Sequence, residues 1–208
     1  MLRRLNPSVV VDVGANRGQF ALDVKRAVPQ ARILSFEPLP SEADVFRTIF
    51  LGQRKVELIE AALGSSKGSA KLHVAGAADS SSLLQIGRLQ EQLFPGTGEV
   101  NLVEVKVDVL DEVLREVDLA DRALLKIDVQ GYEVEVLKGA LNSLSRFRWV
   151  YVELSFVELY VSQPLAHEVM ALLVTHGFGI VDAGSPTRSK GRTIQQDYLF
   201  ERHATLQE

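Results

Sequence analysis

The sequence predicts an α/β fold built on a doubly wound, mostly parallel sheet, and three observations carry that expectation. Apolar runs rich in β-branched residues alternate with helix-period patterns along nearly the whole chain. The first run, Val9–Val13, leads into the turn Gly14-Ala15-Asn16-Arg17-Gly18, and a second, Arg32–Phe36, ends at Glu37. Strand, glycine turn, helix, strand and acid is the order of the first half of a nucleotide-binding domain. The last two apolar runs are joined by a short polar stretch without a helical pattern, which makes them antiparallel neighbours.

Seven strands are expected: Val9–Val13, Arg32–Phe36, Val56–Ala61, Leu124–Asp128, Trp149–Leu154, Gly179–Ala183 and Gln196–Arg202. Helical spacing of three and four links Phe20, Val24, Ala27 and Val28, then Leu110, Val113, Leu114 and Val117. It recurs in Val134, Leu137, Leu141 and Leu144, and in Val169, Leu172 and Leu173. Pro29 stops the first helix, and Gly177 suits the left-handed position that closes the last. Two stretches break the alternation. Residues 64–98, rich in Gly, Ser and Ala, read as an insertion, part hairpin and part helix, over the sheet's edge, with Lys71-Leu72-His73-Val74 as a short strand. Residues 184–192 read as an exposed loop between the last two strands. Residues 1–208 are expected to form one domain.

Composition narrows the class. With 46% hydrophobic and 24% charged residues, the chain reads as an ordinary soluble protein. A net charge of -4 argues against a general nucleic-acid binder. No run approaches the ~18 apolar residues of a membrane span, and Met1–Pro7 lacks the apolar core of a signal peptide. Zero cysteines remove disulfides, thiolate metal sites and a cysteine nucleophile. A cytoplasmic location is expected.

The glycine turn has two glycines where a dinucleotide site needs three, and Asn16 stands where a pyrophosphate needs bare backbone. That pattern suits a ligand with an adenosine and no phosphates. S-adenosylmethionine fits, its small polar amino-acid end lying over the turn. Glu37 at the tip of the second strand can accept both ribose hydroxyls. A second constellation follows at Leu124–Ala140, where Lys126 and Asp128 stand two apart on one strand and so share a face. Gln130 and Gly131 turn the chain, and Glu133 opens the next helix, where a carboxylate complements the dipole. A structural Lys126–Asp128 ion pair is the plainer reading of the same residues.

These motifs give the chain a resemblance to the FkbM family of S-adenosylmethionine-dependent methyltransferases. It rests on Asp12–Phe20, Phe36–Pro40, Ala61–Gly64, Leu110–Glu112 and, most specifically, Leu125–Ala140. At Gln130 the family more often has Glu. The resemblance implies a class I methyltransferase (Rossmann-like) fold of seven strands with a reversed C-terminal strand. It implies methyl transfer to a hydroxyl oxygen on a sugar, polyketide or lipid-linked glycan. Residues placed against the cofactor are Asp12, Gly14, Asn16, Gly18, Phe20, Glu37, Pro38, Ala62, Ser82 and Asp128, with Ser82 implied by the resemblance alone.

An alcohol nucleophile must lose its proton as the bond forms, so a general base is expected near the methyl group. Asp128 is the first candidate, with Lys126 holding it ionised or binding the acceptor, and Glu153 is the second carboxylate of the same cleft. Alternatively Asp128 and Glu153 share a divalent cation such as magnesium, and spacing leaves both readings open. His73, His167, His176 and His203 lack metal-like spacing; His167 and Tyr160 lie in the connection after the fifth strand, above strand ends. Arg188, Lys190 and Arg192 read as a solvated basic loop, or as a contact for an anionic acceptor. Few residues precede Val9, so acceptor recognition is expected to fall to the insertion, the Pro186–Arg192 loop, or a second copy in a homo-oligomer. Rival functions are a nicotinamide-dependent oxidoreductase, disfavoured by the missing glycine, and a non-catalytic cofactor-binding module.

Overall fold

The computed structural model describes residues 1–203. The main sheet is formed by β1 (Val9–Val13), β2 (Arg32–Phe36), β3 (Val56–Ile59), β7 (Ala123–Ile127), β8 (Trp149–Ser155), β9 (Phe178–Ala183), β10 (Thr187–Ser189) and β11 (Arg192–Arg202). A second, three-stranded sheet joins β4 (Ala62–Leu63), β5 (Gly68–Ala75) and β6 (Glu99–Asp108) in the order β4-β6-β5. The helices are α1 (Leu2–Leu5), α2 (Gln19–Ala27), α3 (Pro40–Ile49), α4 (Arg88–Leu93), α5 (Leu110–Val113), α6 (Glu133–Lys138) and α7 (Ala166–Thr175).

In the main sheet the order runs β3-β2-β1-β7-β8-β11, and β1, β2, β3, β7 and β8 are parallel. The strand β11 is antiparallel to β8 and, along its outer edge, to β9 and β10. The reversed C-terminal strand is thus present. The main sheet has eight strands rather than seven, because residues 187–202 fold into a hairpin turning at Lys190 and Gly191, both at positive φ. The stretch expected as a loop therefore supplies β10 and lengthens β11 at its start. Strand three ends at Ile59, and the chain crosses at Glu60 and Ala61 into the smaller sheet.

Every residue of β1 and β7 is buried, as strands covered on both faces must be. Their alternation divides the core in two. Val9, Val11, Val13, Leu125 and Ile127 face Val136, Leu137, Val169 and Leu173, while Val10, Leu124 and Ile33 face Ala21, Val24, Phe46 and Phe50. Burying such a side chain is worth about 1.5–3 kcal/mol, so the two layers fix the strand register. The helical pattern through Leu144 does not hold beyond Lys138. Gly139 sits so close to the Gly64 carbonyl that an added Cβ would lie 2.1 Å from its oxygen, and the chain continues as turns to Leu144. The second expected pattern, from Leu110, is a single turn ending at Val113.

The insertion is part hairpin and part helix, but its hairpin partner β6 lies beyond residue 98. It packs over the C-terminal ends of the main strands. The Gly87 N–H donates to the Leu159 carbonyl, and Ile86 bridges Tyr160, which fastens it to the connection after β8. Among the described residues no helix is long and apolar enough to cross a membrane.

Candidate active site

The strands β1 and β7 stay paired to their C-terminal ends, where the Asp128 N–H donates to the Val13 carbonyl, and Gly14 then passes close to Asp128. Its φ is +76°, and a Cβ there would lie 1.9 Å from the Asp128 carbonyl oxygen. Only glycine combines that backbone conformation with that approach. Above the crossing lies a cleft of about 400 Å³, the size of a small-ligand site. Gly14, Asn16, Phe20, Glu37, Pro38 and Ala62 from the turn and the β2 side line it. Lys126, Asp128, Gln130, Tyr132, Tyr151 and Asp197 line it too, with Ser81 and Ser82 of the insertion.

Glu37 is nearly buried. Its Oε2 accepts from the Asn16 N–H at 2.8 Å and its Oε1 from the Leu39 N–H at 2.8 Å. Each oxygen keeps a second lone pair, so a diol edge-on to the carboxylate can still donate to both. Burial pushes the Glu37 carboxyl up to about 7, against the pull of those two amides. The glycine turn orients this group: the Asn16 N–H that fixes Glu37 belongs to a residue at φ +48°.

Asp12 and Gly18, expected against the cofactor, stand outside the cleft lining. Asp12 is fully buried, with its Oδ1 3.2 Å from Lys126 Nζ. Burial raises its carboxyl above the ordinary range, with Lys126 opposing. Lys126 in turn donates to the Gly14 carbonyl at 2.7 Å, so the pair ties β1, β7 and the turn together. Burial alone would lower the Lys126 ammonium, but the attraction of Asp12 and Asp128 outweighs it and the net direction is upward. A neutral lysine base is thereby disfavoured. The expected Lys126–Asp128 contact is looser, at 3.8 Å. Gly18 starts α2 at φ +89°, where a Cβ would lie 2.5 Å from the Phe50 ring and 2.9 Å from that of Phe46. Its glycine serves packing.

Asp128 follows β7 directly and is partly exposed to the cleft. Glu153 on β8 lies behind it, outside the lining, and the amide of Gln130 joins the two. Gln130 Nε2 is 2.7 Å from Asp128 Oδ1 and 3.0 Å from Glu153 Oε2, and Gln195 Nε2 donates to the same Glu153 oxygen at 2.8 Å. Burial, then the nearness of Asp128, Asp197 and Glu133, pushes Glu153 up to about 9. At neutral pH it is a neutral acid, unsuited to acting as a base. An amide group thus occupies the space between the carboxylates where a shared cation was the alternative reading. Among the described residues no group of three or more His, Asp or Glu side chains is arranged to hold a metal.

Ser82 donates from its hydroxyl to the Gln130 carbonyl at 2.7 Å, while Phe20 stacks on Tyr151 with centroids 5.9 Å apart. The remaining candidates lie elsewhere. His167 is exposed on α7, His176 closes that helix through the Leu172 carbonyl, and His73 pairs with Glu99. The turn carrying Arg188, Lys190 and Arg192 does not reach the cleft. Tyr160 is fully buried, its hydroxyl 3.0 Å from Gln130 Oε1 and 2.9 Å from the Ser80 carbonyl. Tyr151 and Asp197 are cleft residues that sequence reasoning missed. Their signal is polar side chains at alternate positions, Gln195 and Asp197 on β11 and Tyr151 and Glu153 on β8, with Asp197 opposite Glu153.

Known proteins place this geometry in a family. Residues 12–180 match the family described as the Methyltransferase FkbM domain. Methyltransferase sdnD of Sordaria araneosa is 35% identical over 194 residues, covering 82% of this chain and 73% of that protein. The 2-O-methyltransferase NoeI of Sinorhizobium fredii is 29% identical over 184 residues, covering 83% and 73%. In fold, the chain matches the crystal structure of a Methyltransferase FkbM from Methylobacillus flagellatus with a TM-score of 0.59 at 13% identity. That match covers 93% of this chain and 44% of the longer one, so this chain spans less than half of that protein's length. The strand order, the cleft over Gly14 and Asp128, and the match across residues 12–180 lead to one assignment: the chain belongs to the FkbM methyltransferase family.

Proposed function

We propose that the protein transfers the methyl group of S-adenosylmethionine to a hydroxyl oxygen of a small-molecule or glycan acceptor. The observation that carries the reading is that Glu37 and Asp128, from the tips of β2 and β7, line one and the same cleft. When bound, the cofactor supplies a methyl group on an electrophilic sulfonium. Glu37 accepts the ribose hydroxyls on its free lone pairs, and Pro38 and Ala62 offer apolar contact to the adenine. Gly14 and Asn16 leave room for the amino-acid end. Asp128 would take the proton of the acceptor hydroxyl, the methyl–sulfur bond breaking as the methyl–oxygen bond forms so that S-adenosylhomocysteine would leave, and Lys126 would support that carboxylate from below. The insertion excludes water from above through Ser81 and Ser82. Oxygen as the target is supported by relatives such as the 2-O-methyltransferase NoeI.

Calorimetric titration with S-adenosylhomocysteine tests the cofactor, with NAD as control. Micromolar affinity for the first and none for the second is expected. In Glu37→Ala the affinity should fall about 100-fold, as two charge-assisted hydrogen bonds are lost, with the far-UV spectrum retained. Unchanged affinity in that variant removes the ribose assignment.

A further inference from the structure

We propose that Gln130 is a positioning residue, aiming the Asp128 carboxylate into the cleft and coupling it to the roof formed by Ser80–Ser82. The inference rests on the reading of Asp128 as the group that faces the transferring methyl. Gln130 makes contacts in four directions. Its Nε2 uses both protons, one on Asp128 Oδ1 at 2.7 Å and one on Glu153 Oε2 at 3.0 Å. Its Oε1 lies 3.0 Å from the Tyr160 hydroxyl, and its backbone carbonyl accepts from Ser82 Oγ at 2.7 Å.

Each contact has one chemical consequence. A primary amide donates to two carboxyl groups at once without charge of its own, which a carboxylate in its place cannot do. Glu153, pushed up to about 9 by burial, is the uncharged member of the pair, and Gln195 anchors it from β11. One proton of Nε2 is therefore spent on a fixed post and the other on Asp128. The backbone at Gln130 has φ +55°, a conformation costly for a side-chain-bearing residue and maintained where surrounding contacts impose it. The single proton of the Tyr160 hydroxyl lies between two acceptors, the Gln130 amide oxygen at 3.0 Å and the Ser80 carbonyl at 2.9 Å, so the amide and the roof share one donor. Seating of the roof and aim of the carboxylate thus meet at one residue, the first through its backbone carbonyl and amide oxygen and the second through its amide nitrogen.

Comparison of S-adenosylmethionine with S-adenosylhomocysteine tests this without an identified acceptor. The first carries a positive sulfonium and the second a neutral thioether, so the ratio of their affinities reads how well Asp128 faces that charge. Gln130→Met keeps the length and removes every side-chain hydrogen bond. It should leave the homocysteine affinity within about twofold and lower the preference for the sulfonium by about threefold to tenfold, as expected for one partly screened charge contact. Asp128→Asn should lower the ratio as far, and combining the two should add nothing further. Tyr160→Phe, which keeps the buried ring, should shift the ratio in the same direction by less. A purely structural Gln130 would weaken both ligands alike. A wild-type ratio in Gln130→Met together with a lowered ratio in Asp128→Asn overturns the role of Gln130. A wild-type ratio in Asp128→Asn itself overturns the reading beneath it.

Discussion

Lys126 and Asp12 are direct partners in the register of β7 and β1, and their side chains meet at 3.2 Å with almost no exposure. Neither touches solvent enough to stand alone. Removing one partner of a buried pair typically costs about 3–5 kcal/mol. Lys126→Met should lose stability on that scale in urea unfolding, and Asp12→Asn combined with Lys126→Met should regain most of it. A Lys126→Met protein as stable as wild type would show that the pair does not hold the two strands.

Asp128→Asn keeps the shape of the side chain and removes its ability to take a proton. Affinity for S-adenosylhomocysteine should remain within about threefold, while methyl transfer to a hydroxylated acceptor found by screening should fall about 100-fold or more. Full turnover in this variant ends the candidacy of Asp128 as base.

The two glycines of the turn separate packing from binding. Gly14→Ala drives a Cβ into the Asp128 carbonyl, and Gly18→Ala drives one into the rings of Phe50 and Phe46, both at positive φ. Each should cost about 1–3 kcal/mol. Gly14→Ala should also abolish S-adenosylhomocysteine binding. In folded Gly18→Ala the affinity should stay within about threefold, since Gly18 does not line the cleft; a large loss would return it to the binding site.

Burial raises several carboxyls, among them Glu37 and Glu133 to about 7 and Glu153 to about 9, from an ordinary value of 4.5. Each binds its proton more tightly in the folded than in the unfolded chain, so folding gains from acidity. That contribution is complete below 4.5 and is lost as pH rises through about 7 and then about 9. The ligand-free protein should be more stable at pH 5.5 than at pH 8.5 in urea unfolding, the titration of Glu37 through about 7 alone being worth roughly 2 kcal/mol. A stability that rises across this range would contradict the buried, protonated state of Glu153.

Strands of the parallel sheet are plain in the sequence because both faces are buried. Val9–Val13 and Arg32–Phe36 are mainly apolar runs, broken by Asp12 and Ser35, with turn residues after them, and their bounds agree with the structure. The strand β6 escapes because its first half is exposed and only Val105, Val107 and Asp108 are buried, though Val103, Val105 and Val107 do alternate with Glu104 and Lys106. The helix α3 carries its own signal, Pro40 at the first turn with Ala43 and Phe46 inward, which the spacing of the stronger helices masks. At the site, Glu37 and Asp128 are legible because a strand tip has few other uses for a carboxylate. Asp12 and Gly18 stand outside the cleft lining for a shared reason. A charged residue in a strand and a glycine in a turn satisfy a buried neighbour as readily as a ligand, and sequence spacing does not separate the two. The part played by Gln130 depends on Tyr160, Glu153 and Ser82 converging from three other segments.

The central strand β1 borders β2, its near neighbour in the chain, on one side and β7 on the other, where Val9 lies beside Ala123. The first pairing closes a short loop and the second a very long one, which must enclose the whole smaller sheet. Long closures form slowly and late. The contact of Gly14 with Asp128 belongs to the second pairing, so the floor of the cleft is completed after most of the molecule has condensed. A ligand of the finished cleft would then slow unfolding and leave the rate of folding unchanged.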